Sequence, residues 1–197
     1  MAYPVTEDVR AYTGVEKSGD DALIDTFITE SIAFVEAYVG FSFDGTSTST
    51  RNFDAISDTE GRVLNFDKPA VSLTTVTNDA DAGSPTVIGT SAYVTIPRDE
   101  TPYWGISLLA SGNNEWTYTS DPEMGITVLA NWRWSTTPPS DVAWAVTRLA
   151  VFLYRQKDTS SDVDRPLLTG DGVMILPSKF PADVISILNH YRNRFVS

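Results

Sequence analysis

The sequence predicts an α+β protein. A helical bundle is formed by the N- and C-terminal segments, with a small antiparallel β-sheet or barrel lobe inserted between them. Two observations predict this. Apolar residues recur at helical spacing near both ends, as Ile24, Phe27, Ile28, Val35, Tyr38 and Val39, and as Val142, Ala145, Val146, Leu149, Phe152 and Leu153. Between them, residues 51–134 read almost wholly as short apolar runs separated by turn-forming residues. No internal repeat is visible. The expected organisation is residues 1–50 and 135–197 as the bundle and residues 51–134 as the β lobe.

Each element follows from local chemistry. Thr6-Glu7-Asp8-Val9 opens a short helix with Thr6 as its cap, and Gly14 ends it. Asp20 caps a longer helix that stops at Gly40, with Leu23 and Ile32 at the edge of its apolar stripe. Its other face carries Asp25, Thr29, Glu30 and Glu36. From Phe41 to Thr50 the chain is mostly Ser, Thr and Gly and reads as a loop. Strands are expected at 62–66, 71–77, 93–96, 106–110, 115–119 and 126–132. Pro138-Pro139 closes the last of these, since proline cannot donate to a ladder. Asp141 supplies negative charge at the next helix start. That helix is apolar nearly all round, because Ala143, Ala150, Val151 and Tyr154 join the main stripe. Only Asp141, Arg148 and Arg155, seven apart, make a charged line. Such a helix is buried on more than one side. It is either very central or packed against neighbouring subunits. After a polar stretch from Asp158 to Leu176, Pro181 opens a last helix with Val184, Ile187, Leu188, Tyr191 and Phe195 inward and Arg192 and Arg194 at its end.

Composition narrows the function. The chain has 197 residues, a net charge of −12 and no cysteine. Disulfides and thiolate chemistry are excluded. General nucleic-acid binding is disfavoured, because affinity for DNA comes mainly from neutralised phosphates. Only residues 141–197 escape the acidic bias, with seven basic and six acidic groups. Met1-Ala2-Tyr3-Pro4 lacks the basic start and apolar run of a signal peptide. No apolar run approaches the ~20 residues of a membrane helix. A soluble protein made in a cytoplasm, with no membrane association, is expected.

The search for chemistry yields no catalytic, cofactor or metal site. His190 is the one histidine and sits on the polar side of the last helix near Arg192. A surface or interface residue is the better reading than a base. Asp79-Ala80-Asp81-Ala82-Gly83 resembles a calcium loop only in part, for the downstream bidentate Glu is missing and Pro85 follows. A turn between strands accounts for it. Asp162, Asp164 and Asp171 read as solvated loop charges, and Thr169-Gly170-Asp171-Gly172 lacks the lysine of a phosphate loop. Trp104, Trp116, Trp132 and Trp134 suit a sugar-stacking platform, but such residues are more often core or interface anchors.

The order of segments resembles the head–tail connector (adaptor) proteins of long-tailed bacteriophages. The likeness is carried by Thr6-Glu7-Asp8-Val9-Arg10 through Gly14, then Asp20 to Ile24 and Val35 to Gly40. It continues through Arg51-Asn52-Phe53-Asp54, Val63 to Phe66 and Pro69 to Val76, then Pro138-Pro139-Ser140-Asp141-Val142 leading to Leu153-Tyr154-Arg155, and Pro181 to Arg194. Arg133-Trp134 stand where relatives carry glycine and an aromatic, and Asp79–Ser120 is longer than a minimal adaptor needs. The resemblance implies a structural virion protein without enzymatic activity or cofactor. Copies would form a homo-oligomeric ring, typically dodecameric, beneath the portal protein at the virion neck. The ring would extend the DNA channel and meet a stopper or tail-terminator protein, with DNA passing through unread. Subunit-interface candidates are Asp141, Trp144, Arg148, Val151 and Arg155. Portal-docking candidates are Lys179, Phe180, His190, Tyr191, Arg192 and Arg194. Channel-facing candidates are Asp25, Glu30 and Glu36. The alternatives are another neck protein, such as a stopper or tail-completion protein, and a carbohydrate-binding β module.

Overall fold

The computed structural model describes residues 2–14, 18–156 and 180–192, together with the backbone of two short strands at 167–168 and 174–175. The chain divides into two compact units, Met1–Gly40 with Pro138–Ser197, and Phe41–Thr137. The architecture is α+β, with N- and C-terminal helices packed together and two four-stranded antiparallel sheets inserted between them in sequence.

The helical unit contains α1 (Thr6–Thr13), α2 (Asp21–Val39), α3 (Ser140–Gln156) and α4 (Ala182–Arg192). Gly14 and Gly40 end the first two helices in left-handed conformations, at φ 73° and 89°, where a side chain would be strained. The start of α1 differs from expectation. Val5 is the capping position, and the Asp8 carboxylate accepts the Val5 N–H at 2.9 Å. Thr6 instead donates its hydroxyl to Asp25 of α2. Asp20 does precede α2, yet its carboxylate accepts the Tyr154 hydroxyl at 2.8 Å rather than a helical N–H. A cap residue is thus recruited to tie the start of α2 to the end of α3.

The apolar α3 proves to be the central helix. Val142, Ala143, Ala145, Val146, Leu149, Ala150, Val151 and Tyr154 are buried within this chain. Ala150, Val151 and Tyr154 form one cluster with Val9 of α1 and Ile24 and Ile28 of α2. Val35 and Val39 of α2 and Val184, Leu188 and Tyr191 of α4 are buried as well. The helix therefore buries its second side against α1 and α2 of the same chain, and most of it is closed to neighbouring copies.

The β unit contains β1 (Ser49–Phe53), β2 (Thr59–Glu60), β3 (Val63–Ala70), β4 (Ser72–Asn78), β5 (Thr86–Ile88), β6 (Tyr93–Ile96), β7 (Tyr103–Leu108) and β8 (Ile126–Asn131). One sheet has the order β1-β8-β4-β5, the other β2-β3-β7-β6. β3 and β4 are separated by Val71 alone, so one long strand crosses from sheet to sheet. Ladder irregularities flank the crossing, between Asn65 and Ala70 and between Leu73 and Thr75. Strands that turn a corner in this way let two sheets close on one core. That core draws Leu64, Phe66, Ile106 and Leu108 from one sheet and Phe53, Val76, Val128 and Trp132 from the other. Gly105 in β7 is required, since a Cβ there would lie 2.5 Å from the Leu64 carbonyl oxygen. The final short strands, β9 (Leu167–Leu168) and β10 (Met174–Ile175), pair antiparallel with each other.

Two strand expectations need correction. β1 was not among the expected strands; it begins at Ser49 and Thr50, the end of the stretch read as a loop, and pairs with β8, Ser49 opposite Ala130 and Phe53 opposite Ile126. Residues 115–119 are not a strand. Their backbone is tied by side chains: Asn78 donates to the Glu115 carbonyl at 2.9 Å and accepts the Thr117 N–H at 3.0 Å.

Candidate assembly surface

The outward side of α3 carries most of the residues expected at a subunit contact. Trp144 is 41% exposed. It borders a groove of about 500 Å³ lined by Ala2, Pro4, Asp8, Ser140, Ala143 and Thr147. The groove lies between the N-terminal arm and α3, and the indole forms its apolar wall. The other exposed large apolar residues described in the helical unit are Val5 at the cap of α1, Tyr12 on α1 and Leu23 at the start of α2. The sequence reading missed these. The available signal was Tyr12, an aromatic on a short polar helix.

The charged line of α3 is largely satisfied within the chain. Asp141 accepts the Tyr191 hydroxyl on both carboxylate oxygens, at 2.8 and 2.9 Å. Arg148 Nε donates to Asp183 of α4 at 3.0 Å. This bond and the Asp183 charge, with a contribution from Tyr12, hold the guanidinium above its ordinary pKa. Partial desolvation raises the Asp183 carboxyl. The Arg148 hydrogen bond and the Val184 N–H outweigh it and keep the group below its ordinary value. Arg155 is exposed. Val151 is 1% exposed and belongs to the core, so it offers no surface.

The residues expected to dock on a portal divide. Phe180 stacks on Phe34 of α2 at 4.3 Å between centroids. Tyr191 is 6% exposed and faces inward. His190 and Arg192 are exposed, with the Arg192 guanidinium 5.2 Å from the Tyr38 ring centroid. Tyr38 in turn donates its hydroxyl to Asn189 at 2.7 Å. Lys179 and Arg194 lie outside the described residues, as do Asp162, Asp164 and Asp171. On α2, Asp25 and Glu30 are exposed, and Asp25 accepts from Thr6. Glu36 is half-buried and accepts the Tyr3 hydroxyl at 3.4 Å.

The tryptophans of the β unit act as anchors. Trp132 is buried and donates its indole N–H to the Ser49 carbonyl at 2.8 Å. Trp116 donates to the Arg62 carbonyl at 3.1 Å. Trp104 meets Trp134 edge-on, and Trp134 stacks on Phe41. Rings set at such angles do not make the flat face that sugar stacking requires. The Asp79–Asp81 turn also has an internal use. Asp81 accepts the N–H groups of Thr119, Ser120 and Asp121, at 3.0, 2.5 and 2.8 Å. These three bonds hold its pKa down to about 2. Among the described residues no cluster of His, Asp and Glu has the geometry to hold a metal ion. No helix among them is long and apolar enough to cross a membrane.

The arrangement offers no catalytic constellation among the described residues; what it offers is aromatic anchors within the β unit and an apolar groove beside Trp144. The head completion protein family model matches residues 5–194, and the chain belongs to that family of structural proteins, which are not enzymes. No curated protein matches significantly. Solved structures share the fold. A chain in the neck of an empty gene transfer agent (GTA) particle, computed with C6 symmetry, is 14% identical, with a TM-score of 0.58 over 95% of this chain and 88% of its own length. A chain in the neck of the native particle, computed with C12 symmetry, is 16% identical, with a TM-score of 0.53 over 98% and 92%. A chain from the native virion of the same kind of particle is 16% identical, with a TM-score of 0.54 over 97% and 89%.

Proposed function

We propose that this head completion protein is the adaptor subunit of a phage-like neck. It forms a closed ring, of twelve copies, between the portal and the stopper or tail. The observation that carries this reading is the fold match over 95% of the chain to a neck component of a gene transfer agent particle. The C6 and C12 symmetries of those necks support the ring and its copy number. Ring contacts of this kind are head-to-tail, so each copy offers two different complementary surfaces. The Trp144 groove, bounded by Ala2, Pro4 and Thr147, is one of them. The exposed α4 end at His190 and Arg192, with the segment from residue 158 onward, docks on the portal. The acidic side of α2, with Asp25 and Glu30, neighbours the channel, where like charge lets DNA pass without adhering.

The test is negative-stain imaging and native mass spectrometry of the purified chain, alone and with purified portal. A portal-dependent ring that Trp144→Ala disrupts is the expected result. A chain that stays monomeric with portal present, or a ring indifferent to Trp144, would overturn the assignment.

A further inference from the structure

Nine large hydrophobic residues are exposed among the described residues, and three of them belong to one corner of the β unit. Ile56 is 60% exposed, Met124 53% and Tyr118 44%. They come from separate segments that the backbone locks together. The Ala55 N–H donates to the Pro122 carbonyl at 2.8 Å, and the Ala80 N–H to the Gly125 carbonyl at 2.9 Å. Gly125 lies so close that a Cβ on it would sit 2.8 Å from the Tyr118 Cβ and 3.0 Å from the Ala55 Cβ. Neither loop is loose. Asp54 accepts the N–H groups of Ile56 and Ser57 at 2.7 and 3.1 Å, and Asp81 accepts the three amides just after Tyr118. A surface fixed in advance loses little entropy when it is covered, which favours binding. Grouped exposed apolar residues with a polar rim mark protein contacts, whereas scattered ones do not.

The segments that carry these residues are acidic. Residues 54–60, 79–85 and 115–125 hold eight acidic residues and no lysine or arginine. Two identical corners would repel, which disfavours self-pairing of this face. The fitting occupant is a surface of opposite charge with apolar relief.

We propose that the Ile56–Tyr118–Met124 corner is a docking tip for a different protein, whose contact face is an apolar recess rimmed by lysine and arginine. This rests on the adaptor reading only in taking the partner from the same particle.

The test places a photo-cross-linking phenylalanine at position 118, and separately at position 144, in assembled particles containing the full chain. Cross-linked peptides are then identified by mass spectrometry. The expected adduct at position 118 joins a different virion protein, at a peptide with apolar residues beside Lys or Arg. The double variant Ile56→Ser, Met124→Ser should fold normally, because both positions are solvent-exposed, and should reduce that adduct about tenfold or more. An adduct with a second copy of this chain, with DNA, or with nothing overturns the proposal. Copy-to-copy adducts at position 144 in the same particles keep the two readings separable. Their loss counts against the ring, while their persistence beside a silent position 118 counts against the docking tip alone.

Discussion

Truncating Val151 decides where the second side of α3 finds its cover. The side chain is 1% exposed and packs with Val9, Ile24, Ile28 and Tyr154 of its own chain. Val151→Ala removes two buried methyl groups. At roughly 0.8 kcal/mol each for transfer, plus a cavity contribution, the cost is about 2 kcal/mol. For a chain of this size that lowers the melting temperature by about 4–8 °C. The assay is urea unfolding of the isolated, unassembled chain, followed by helical circular dichroism. Trp144→Ala is the matched control. At 41% exposed it should cost the isolated chain about 1 kcal/mol or less, yet weaken assembly by roughly thirtyfold if the indole is a contact anchor. An isolated chain indifferent to Val151→Ala, with a ring that fails, would refute the packing argued here. It would return the cover of α3 to the neighbouring subunit.

Other outcomes follow from single contacts. Tyr154→Phe removes the hydroxyl donated to Asp20 and should cost about 1 kcal/mol, read by the same unfolding assay. Asp81→Asn removes the charge that gathers the Thr119, Ser120 and Asp121 amides, so those amides should lose hydrogen-exchange protection while the sheets keep theirs. The Asp81 carboxyl is depressed to about 2, so its stabilising contribution is complete above the unfolded value, near 4, and fades as pH falls towards 2. Native-state exchange between pH 5 and pH 2.5 should show this loop opening late in the titration. Gly105→Ala drives a Cβ into the Leu64 carbonyl and should cost about 1–3 kcal/mol, measured as a lower denaturation midpoint of the β unit.

The helical ends were legible because α2 and α3 carry long apolar stripes and because α1 and α2 stop at glycines with positive φ. The phage-adaptor likeness was borne out at the level of the family for the same reason, since it rested on the order of such segments. β1 was hidden because it is made of Ser, Thr, Arg and Asn, with only Phe53 buried. Its strand identity comes from pairing with β8, nearly eighty residues away, and a local reading has no access to that partner. The opposite error occurred at 115–119, where Trp116 and Tyr118 alternate as in a strand. There the backbone bonds are claimed by the Asn78 and Asp81 side chains, so no ladder forms.

The exposure of the candidate contact residues was legible only in part, and α3 shows the physical reason. Trp144 and Val151 are seven residues apart, which at 3.6 residues per turn puts them within about 20° of each other on the helix, roughly 10 Å apart along it. Periodicity assigns them one environment, and both were expected at the same contact. The structure separates them by what lies opposite. At Val151, side chains from α1 and α2 close the site; at Trp144, the arm at Ala2 and Pro4 only flanks it, leaving a groove. The difference lies at the start of α1, where the helix that brings Val9 into the Val151 cluster gives way at Val5 to the arm that flanks Trp144. Removing α1 should therefore uncover the side of Val151 that Val9 covers, while Ile24 and Ile28 of α2 stay in place. A chain lacking residues 1–14 is expected to expose that position to solvent exchange and to self-associate through it.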